Sequence, residues 1–285
     1  IYARLFGGLG NQLFQYATAR AVSIRLGVGL GLDRRYLRQE PAHLGFALNH
    51  FAITAEIDPE GLPPHRQHWF AHALWRAGFA SPTFLRERGL GLNANVIAAR
   101  DETYLHGYFQ SETYFLEAAD HIRSELRIMT PPSPENRTWL DRIAADEHAV
   151  SVHVRRGDYV SNHKGHATHG TCDADYYRAA MTAIAENSRA KPRAYVFSDD
   201  PSWAGSHLDL GVETIVLGHN TPIQHYEDLR LMSACRHHVI ANSTFSWWGA
   251  WLNASPSKII VAPRRWFATD KLVNPDILPN DWIKL

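Results

Sequence analysis

The stretch Val152-His153-Val154-Arg155-Arg156-Gly157-Asp158-Tyr159 reads as the end of a buried strand running into a polar loop. From Ala149 to Val154 the residues are mostly apolar and rich in valine, the composition of a parallel strand covered on both faces. The pattern breaks into charge at Arg155. Two arginines followed by Gly and Asp at the carboxyl end of a strand sit where open α/β sheets bind ligands, and Gly157 lets the backbone approach one closely. Arginine presents a rigid fork of donors that matches phosphate oxygens two at a time. Arg155 and Arg156 therefore mark an anion site, with Asp158 able to hold one guanidinium while the other meets the ligand. On its own the segment also fits an ordinary surface ion-pair cluster.

Outward from this stretch, the second half of the chain alternates strand and helix. Strands are predicted at 149–154, 194–198, 214–217, 238–241 and 258–262. Helices are predicted at 174–187, with Tyr177, Ala180, Met181 and Ile184 on one face, at 223–234, and from Thr244 onward. This rhythm implies a parallel, doubly wound sheet, in which all carboxyl ends share one edge. Three polar strand ends then converge: Arg155-Arg156-Gly157-Asp158, Ser198-Asp199-Asp200 and Asn242-Ser243-Thr244-Phe245-Ser246. An arginine supplies charge, the Asn-Ser-Thr-Phe-Ser turn supplies hydroxyls and helix-start amides, and an aspartate can accept paired hydrogen bonds from a guanine edge. The set reads as a nucleoside diphosphate site. Asp199-Asp200 also fits a metal-binding acidic pair, or simple capping of a helix that begins at Pro201. An arginine on the pyrophosphate makes a divalent cation less necessary.

The first half opens with a strand over 2–6 and then Gly7-Gly8-Leu9-Gly10-Asn11-Gln12. Leu13, Phe14, Ala17, Ala21 and Ile24 form an apolar helical stripe, with Asn11 placed to cap it. Strand, glycine turn and helix open a Rossmann-like unit. The spacing departs from G-x-G-x-x-G because the third position falls on Leu13, so no dinucleotide fingerprint is read. Amides around Gly8, Gly10 and Asn11 can still face phosphate or sugar, and a tight turn needing glycine for steric reasons explains the pattern as well. A second strand is predicted over 28–33. Residues 34–99 are poorly periodic and rich in Pro, His and aromatics. His65, His68 and His72 have metal-like helical spacing, but no carboxylate or cysteine supports them, and solvated or core histidines are the better reading. A strand follows at 102–109, then a helix from Ser111 with Tyr114, Phe115, Ala118, Ile122 and Leu126 on one side. Met129-Thr130-Pro131-Pro132-Ser133-Pro134 cannot continue that helix. The domain boundary is placed there, giving domains 1–130 and 131–285, two Rossmann-like lobes facing each other across a cleft.

A chain of 285 residues is long enough for two such domains. Its 29 basic and 29 acidic residues balance without a basic run, so nucleic acid is not an expected partner. Cys172 and Cys235 are far apart in sequence and suggest neither a disulfide framework nor a cysteine metal site. No stretch approaches the ~20 apolar residues of a membrane-spanning helix, and Ile1 leads into a strand rather than a signal peptide. The expectation is a soluble cytoplasmic protein without a transmembrane segment, with peripheral membrane association left open. Nine Trp and 17 His suit sugar binding and proton transfer, yet both are also ordinary core and surface residues.

Several separated motifs occur in one order: Gly8-Leu9-Gly10-Asn11-Gln12-Leu13-Phe14-Gln15-Tyr16, His153 to Tyr159, His169-Gly170 with Cys172, Asp175-Tyr176-Tyr177, Phe197-Ser198-Asp199-Asp200, and Ser243-Thr244-Phe245-Ser246-Trp247-Trp248-Gly249. With these, nearly the whole chain resembles glycosyltransferase family 11, the α-1,2-fucosyltransferases. The resemblance implies a GT-B fold, GDP-β-L-fucose as donor, and a galactose-terminated glycan as acceptor. It further implies transfer to the 2-hydroxyl of that galactose with inversion, and no metal or other cofactor. In the wider superfamily the first arginine of His-x-Arg-Arg-x-Asp contacts the pyrophosphate, which is Arg155 here. Donor contacts are thus expected at Gly8, Gly10, Asn11, His153, Arg155, Ser198, Asp199, Asp200, Asn242, Ser243, Thr244, Phe245 and Ser246.

The proton acceptor is less constrained. The loop from Tyr159 to Thr171 carries His163, His166 and His169, and its glycines favour an irregular path. His169 is the candidate base because it belongs to the family-like His-Gly pair, with His163 next and Asp158 as an orienting carboxylate. An oxocarbenium-like transition state can also dispense with a base and pass the proton to a phosphate oxygen. Residues 34–99 match no motif and are expected to shape the acceptor pocket. A protein O-fucosyltransferase-like enzyme, or an inactive nucleotide-sugar or glycan-binding protein on the same scaffold, are the alternatives. The Trp247-Trp248-Gly249 and His169-Gly170 elements fit the α-1,2 family better.

Overall fold

The computed structural model describes residues 1–37, 45–156, 168 and 170–285. These form two compact units, one of Ile1–Met129 with Asn274–Ile277 and one of Thr130–Val273 with Leu278–Leu285.

The first unit is built on five strands, β1 (Tyr2–Arg4), β2 (Gly31–Asp33), β3 (Glu56–Ile57), β4 (Thr83–Arg86) and β5 (Thr103–His106), in the order β3-β2-β1-β5-β4. Every pairing is parallel. Helix α1 (Leu9–Leu26) joins β1 to β2, α2 (Trp69–Arg76) precedes β4, α3 (Ala94–Ile97) follows it, and α4 (Ala119–Glu125) comes after β5. The start of α1 differs from expectation. Gly8 is the N-cap with no side-chain cap, and Asn11 lies inside the first turn. The helix ends at Gly27, whose φ of 67° lets its N–H reach Ile24 O while Val28 N–H reaches Ser23 O. That closure uses up Val28, which is why β2 is confined to three residues. The predicted single helix from Ser111 is instead broken. Ser111 caps a 3-10 turn over Glu112–Tyr114, and Phe115 leaves helical geometry at φ −134°, which places its ring 6.2 Å from Phe14 in the core. Glu125 of α4 accepts from Tyr16 Oη at 2.6 Å and pairs with Arg20 at 2.7 Å, tying α4 to α1.

The second unit holds β6 (Ala149–Val154), β7 (Arg193–Ser198), β8 (Thr214–Leu217), β9 (His237–Val239), β10 (Ile260–Ala262) and β11 (Ile283–Lys284), ordered β11-β10-β9-β6-β7-β8. Again every pairing is parallel. Its helices are α5 (Pro134–Ala144), α6 (Ala174–Ser188), α7 (Pro201–His207), α8 (His225–Ala234) and α9 (Thr244–Leu252). All six residues of β6 are buried. Val150, Val152 and Val154 pack with Tyr177, Met181 and Ile184 of α6, while Ala149 shares the other face with Tyr195, Phe197, Leu231 and Met232. Each such apolar side chain contributes roughly 1.5–3 kcal/mol when fully buried. The proline-rich stretch before α5 does more than end a helix. Ser133 Oγ accepts from Asn136 N–H at 3.2 Å and Pro134 occupies the first turn, so the same residues begin one.

The tryptophan-rich α9 is core. Trp247 and Trp248 meet edge to face with centroids 5.0 Å apart, and Trp251 and Trp282 complete the cluster. Gly249 lets α9 approach α8 closely, since a Cβ there would lie 2.9 Å from Met232 Cε and 3.1 Å from its Cβ and the methionine would have to shift. Among the described residues no group of three His, Cys, Asp or Glu is placed to hold a metal. The His65 ring lies tilted against Tyr36, centroids 4.9 Å apart, and His72 Nδ1 lies 2.8 Å from Pro64 O. Among those residues no helix is long and apolar enough to cross a membrane.

Candidate functional site

In the second sheet Val154 is in register with Ser198, and Val152 with Val239, so the carboxyl ends of β6, β7 and β9 share one edge. Side chains alternate along β6. Val154 and its even-numbered partners face α6, and His153 faces α9, where its ring is 5.7 Å from that of Phe245. The alternation carries past the strand end. Arg156 turns to the even side, with its guanidinium carbon 3.6 Å from the Trp203 ring centroid on α7. Arg155 follows His153, and its charge adds to burial in pushing the imidazole down to about 3, so His153 is neutral. His153 is 4% exposed, its Nδ1 has no hydrogen-bond partner among the described residues, and its carbonyl accepts from Tyr177 Oη at 3.0 Å.

Asp199 organises both arginines. Its Oδ2 pairs with Arg155 Nε at 3.2 Å and its Oδ1 accepts from the Arg156 backbone N–H at 2.8 Å. Asp200 has the capping role, accepting from Trp203 N–H at 3.1 Å, while Ser198 Oγ accepts from Asp200 N–H at 3.0 Å. The acidic pair is thus committed to the scaffold: one carboxylate fixes the arginine turn and the other starts α7.

The Asn-Ser-Thr-Phe-Ser turn divides similarly. Ser246 Oγ donates inward to Ser243 O at 3.1 Å, and Asn242, 4% exposed, donates to Trp266 O at 3.2 Å. These two side chains build the turn. Ser243 is the N-cap of α9 in extended geometry, and its own side chain does not cap the first-turn amides next to Thr244 and Phe245. The Tyr176-Tyr177 pair is architectural too, Tyr176 Oη donating to Ile240 O at 2.6 Å beneath this turn.

In the first unit, Gly8, Gly10 and Asn11 form the start of α1 after β1. The steric requirement falls on Gly7, where φ is +77° and a Cβ would lie 2.6 Å from Asn11 Nδ2. Asn11 Oδ1 accepts from Gln110 Nε2 at 3.0 Å. Gln12 staples the loop, donating to Gly7 O at 2.9 Å and Gly45 O at 2.8 Å and accepting from Ala47 N–H at 3.0 Å. Gln15 pairs with both backbone groups of Phe6. Nothing in a one-dimensional pattern shows these glutamine roles. Gln110 is itself carried by a turn held from below, for Glu87 accepts from Tyr108 N–H at 2.7 Å and Phe109 N–H at 3.0 Å.

One titratable group absent from the sequence reading emerges after β8. Asp228 of α8 accepts from Asn220 Nδ2 at 2.7 Å, Asn220 also donates to Asn136 Oδ1 at 3.1 Å, and burial pushes Asp228 up to about 6. Of the predicted catalytic set, Arg155 is described, whereas Asp158, His163 and His169 lie outside the described residues, as does Gly157.

Two all-parallel sheets, the second with a clamped arginine on its carboxyl edge, are the architecture of the GT-B glycosyltransferases. An Arabidopsis thaliana FUT1 mutant in complex with GDP has this fold, with a TM-score of 0.51 at 12% identity, covering 99% of this chain and 75% of that one. Residues 75–285 match Glycosyl transferase family 11, and the chain belongs to that family. Over its whole length it is 31% identical to an α-1,2-colitosyltransferase from Escherichia coli, of which it covers 98%. A galactoside α-(1,2)-fucosyltransferase 1 from Ateles belzebuth is 27% identical, over 86% of this chain and 63% of the relative.

Proposed function

We propose that the protein transfers L-fucose from GDP-β-L-fucose to the 2-hydroxyl of a terminal β-galactose, with inversion at the anomeric carbon. The observation that carries the reading is Arg155 held through Nε by Asp199 on the carboxyl edge of the sheet, the edge at which α9 also begins. A guanidinium fixed in one plane can meet a diphosphate with little further loss of rotamer freedom. As the sugar–phosphate bond breaks, negative charge grows on the β-phosphate. Arg155 and the first-turn amides are the groups that stabilise it. The relatives named as α-1,2-transferases support the linkage. Colitose differs from L-fucose only in lacking the 3-hydroxyl, and the E. coli relative favours it as a second donor reading.

The test is incubation of the protein with GDP-fucose and a panel of galactose-terminated glycans, with the product linkage assigned by NMR. Transfer to another hydroxyl, or none to any member, would overturn the reading. Binding of GDP-fucose without transfer would point instead to a sugar-sensing role.

Turnover is expected to survive EDTA, because Arg155 and backbone amides take the place a cation has in metal-dependent transferases. Loss on chelation and recovery with Mn²⁺ or Mg²⁺ would return Asp199 and Asp200 to the ligand role.

Inversion requires attack from the face away from GDP, which places any base on the acceptor side. If His169 or His163 serves, its alanine variant should lose turnover and the acidic limb of the pH profile near the ordinary imidazole value of about 6.5. If both variants keep wild-type turnover and the same limb, the proton passes to the leaving phosphate.

A further inference from the structure

Helix α2 has its apolar residues on the outside. Trp69, Phe70 and Leu74 are 74%, 62% and 41% exposed, and Phe79 in the following turn is 79% exposed. Ala71 and Ala73 are exposed between them. A surface helix ordinarily turns polar residues outward and its apolar stripe inward. Here the anchor is a single buried residue, Trp75, whose Nε1 donates to Pro82 O and whose ring meets Phe84 and Tyr104 at 5.0 and 5.1 Å. Trp69 and Phe70 pack edge to face at 5.7 Å and form an exposed aromatic ridge, with Leu74 and Phe79 exposed further along the same segment.

The charge carried by the segment itself has one sign, although exposed Glu102 of the neighbouring strand start lies against Thr83. No Asp or Glu occurs between Glu60 and Glu87, while Arg66, Arg76 and Arg86 are all exposed and His65, His68 and His72 lie in the same segment. Exposed Trp, Phe and Leu flanked by arginine without carboxylates complement the boundary of an anionic bilayer, where aromatic rings enter the headgroup region and guanidinium groups meet phosphate. We propose that α2 and the turn through Phe79 dock the protein on an anionic phospholipid membrane. Eight residues of helix reach about 12 Å, a length that lies in the interface and does not span it. A second copy of this chain is a poorer occupant. Two-fold pairing through this face would set its arginines against their own counterparts, with no carboxylate in the segment to neutralise them.

The test uses the full chain with sedimented vesicles of phosphatidylcholine alone or mixed with phosphatidylglycerol. The protein should pellet with the mixed vesicles, with a blue shift of tryptophan emission, and release at high salt. A triple variant, Trp69→Ser, Phe70→Ser and Phe79→Ser, should lose about tenfold or more in partition coefficient, since it removes most of the inserted apolar area. Its thermal midpoint should stay near wild type, because none of the three is buried. Wild-type protein that stays in the supernatant with both vesicle types, or a variant that pellets equally well, would sink the proposal. So would a concentration-dependent dimer in ultracentrifugation that the variant abolishes while vesicles are ignored, which would make the face a contact between copies.

Discussion

Arg155→Ala is expected to lower turnover by about 10²–10³-fold, the scale seen when one donor to a developing oxyanion is removed, with a smaller loss in GDP affinity. The asymmetry follows from timing. The β-phosphate carries its extra charge only as the glycosidic bond breaks, so a group aimed at it contributes more to the transition state than to the bound donor. Arg155→Lys should recover little, because a lysine cannot keep a bond to Asp199 Oδ2 and present a planar fork to phosphate. Arg156→Ala should act more mildly and through stability, since its guanidinium lies on Trp203. Steady-state kinetics on both variants decide the matter. Near-normal turnover for Arg155→Ala with a dead Arg156→Ala would show that the two roles are exchanged.

Asp33→Ala is expected to destabilise the first unit by about 3–5 kcal/mol, the range for stripping one partner from a buried ion pair. Asp33 is fully buried at the end of β2, where Arg35 grips both carboxylate oxygens at 2.8 Å and Tyr104 Oη donates to Oδ2 at 2.7 Å. Burial alone would raise its pKa, but the bonds from Arg35 and Tyr104 outweigh it and hold the carboxyl below the usual range. A lowered carboxyl pKa adds stability above the unfolded value of about 3.9, lost as pH falls through the folded value. Urea midpoints for the variant should therefore fall less steeply below pH 4 than those of the wild type. A variant within about 1 kcal/mol of wild type at pH 7 would show that Arg35 and Tyr104 find other partners.

Elements with long apolar signals could be read directly. β6 at 149–154 and β8 at 214–217 have the predicted bounds, and α6 buries the predicted Tyr177, Ala180, Met181 and Ile184. β3 and β4 have only two and four residues, and α2 carries its apolar side outward, so the periodicity that reveals an inward stripe has nothing to detect in 34–99. The site was legible as a set of strand ends, because parallel topology alone brings them to one edge. Individual roles were not. Asp199 and Asp200 differ by which side of β7's end they leave, Asn242 and Ser246 by which way a turn rotates them, and Gln12 acts on Gly45 and Ala47, far along the chain.

The tryptophan cluster also makes the two units optically distinguishable. Only Trp69 and Trp75 belong to the first unit, one in water and one buried, whereas Trp139, Trp203, Trp247, Trp248, Trp251, Trp266 and Trp282 belong to the second. Intrinsic emission thus follows mainly the melting of the second unit, and the edge-to-face Trp247–Trp248 contact should give it a distinct circular dichroism signal. The first unit contributes only Trp69 and Trp75 to that signal, so emission reports chiefly on the second.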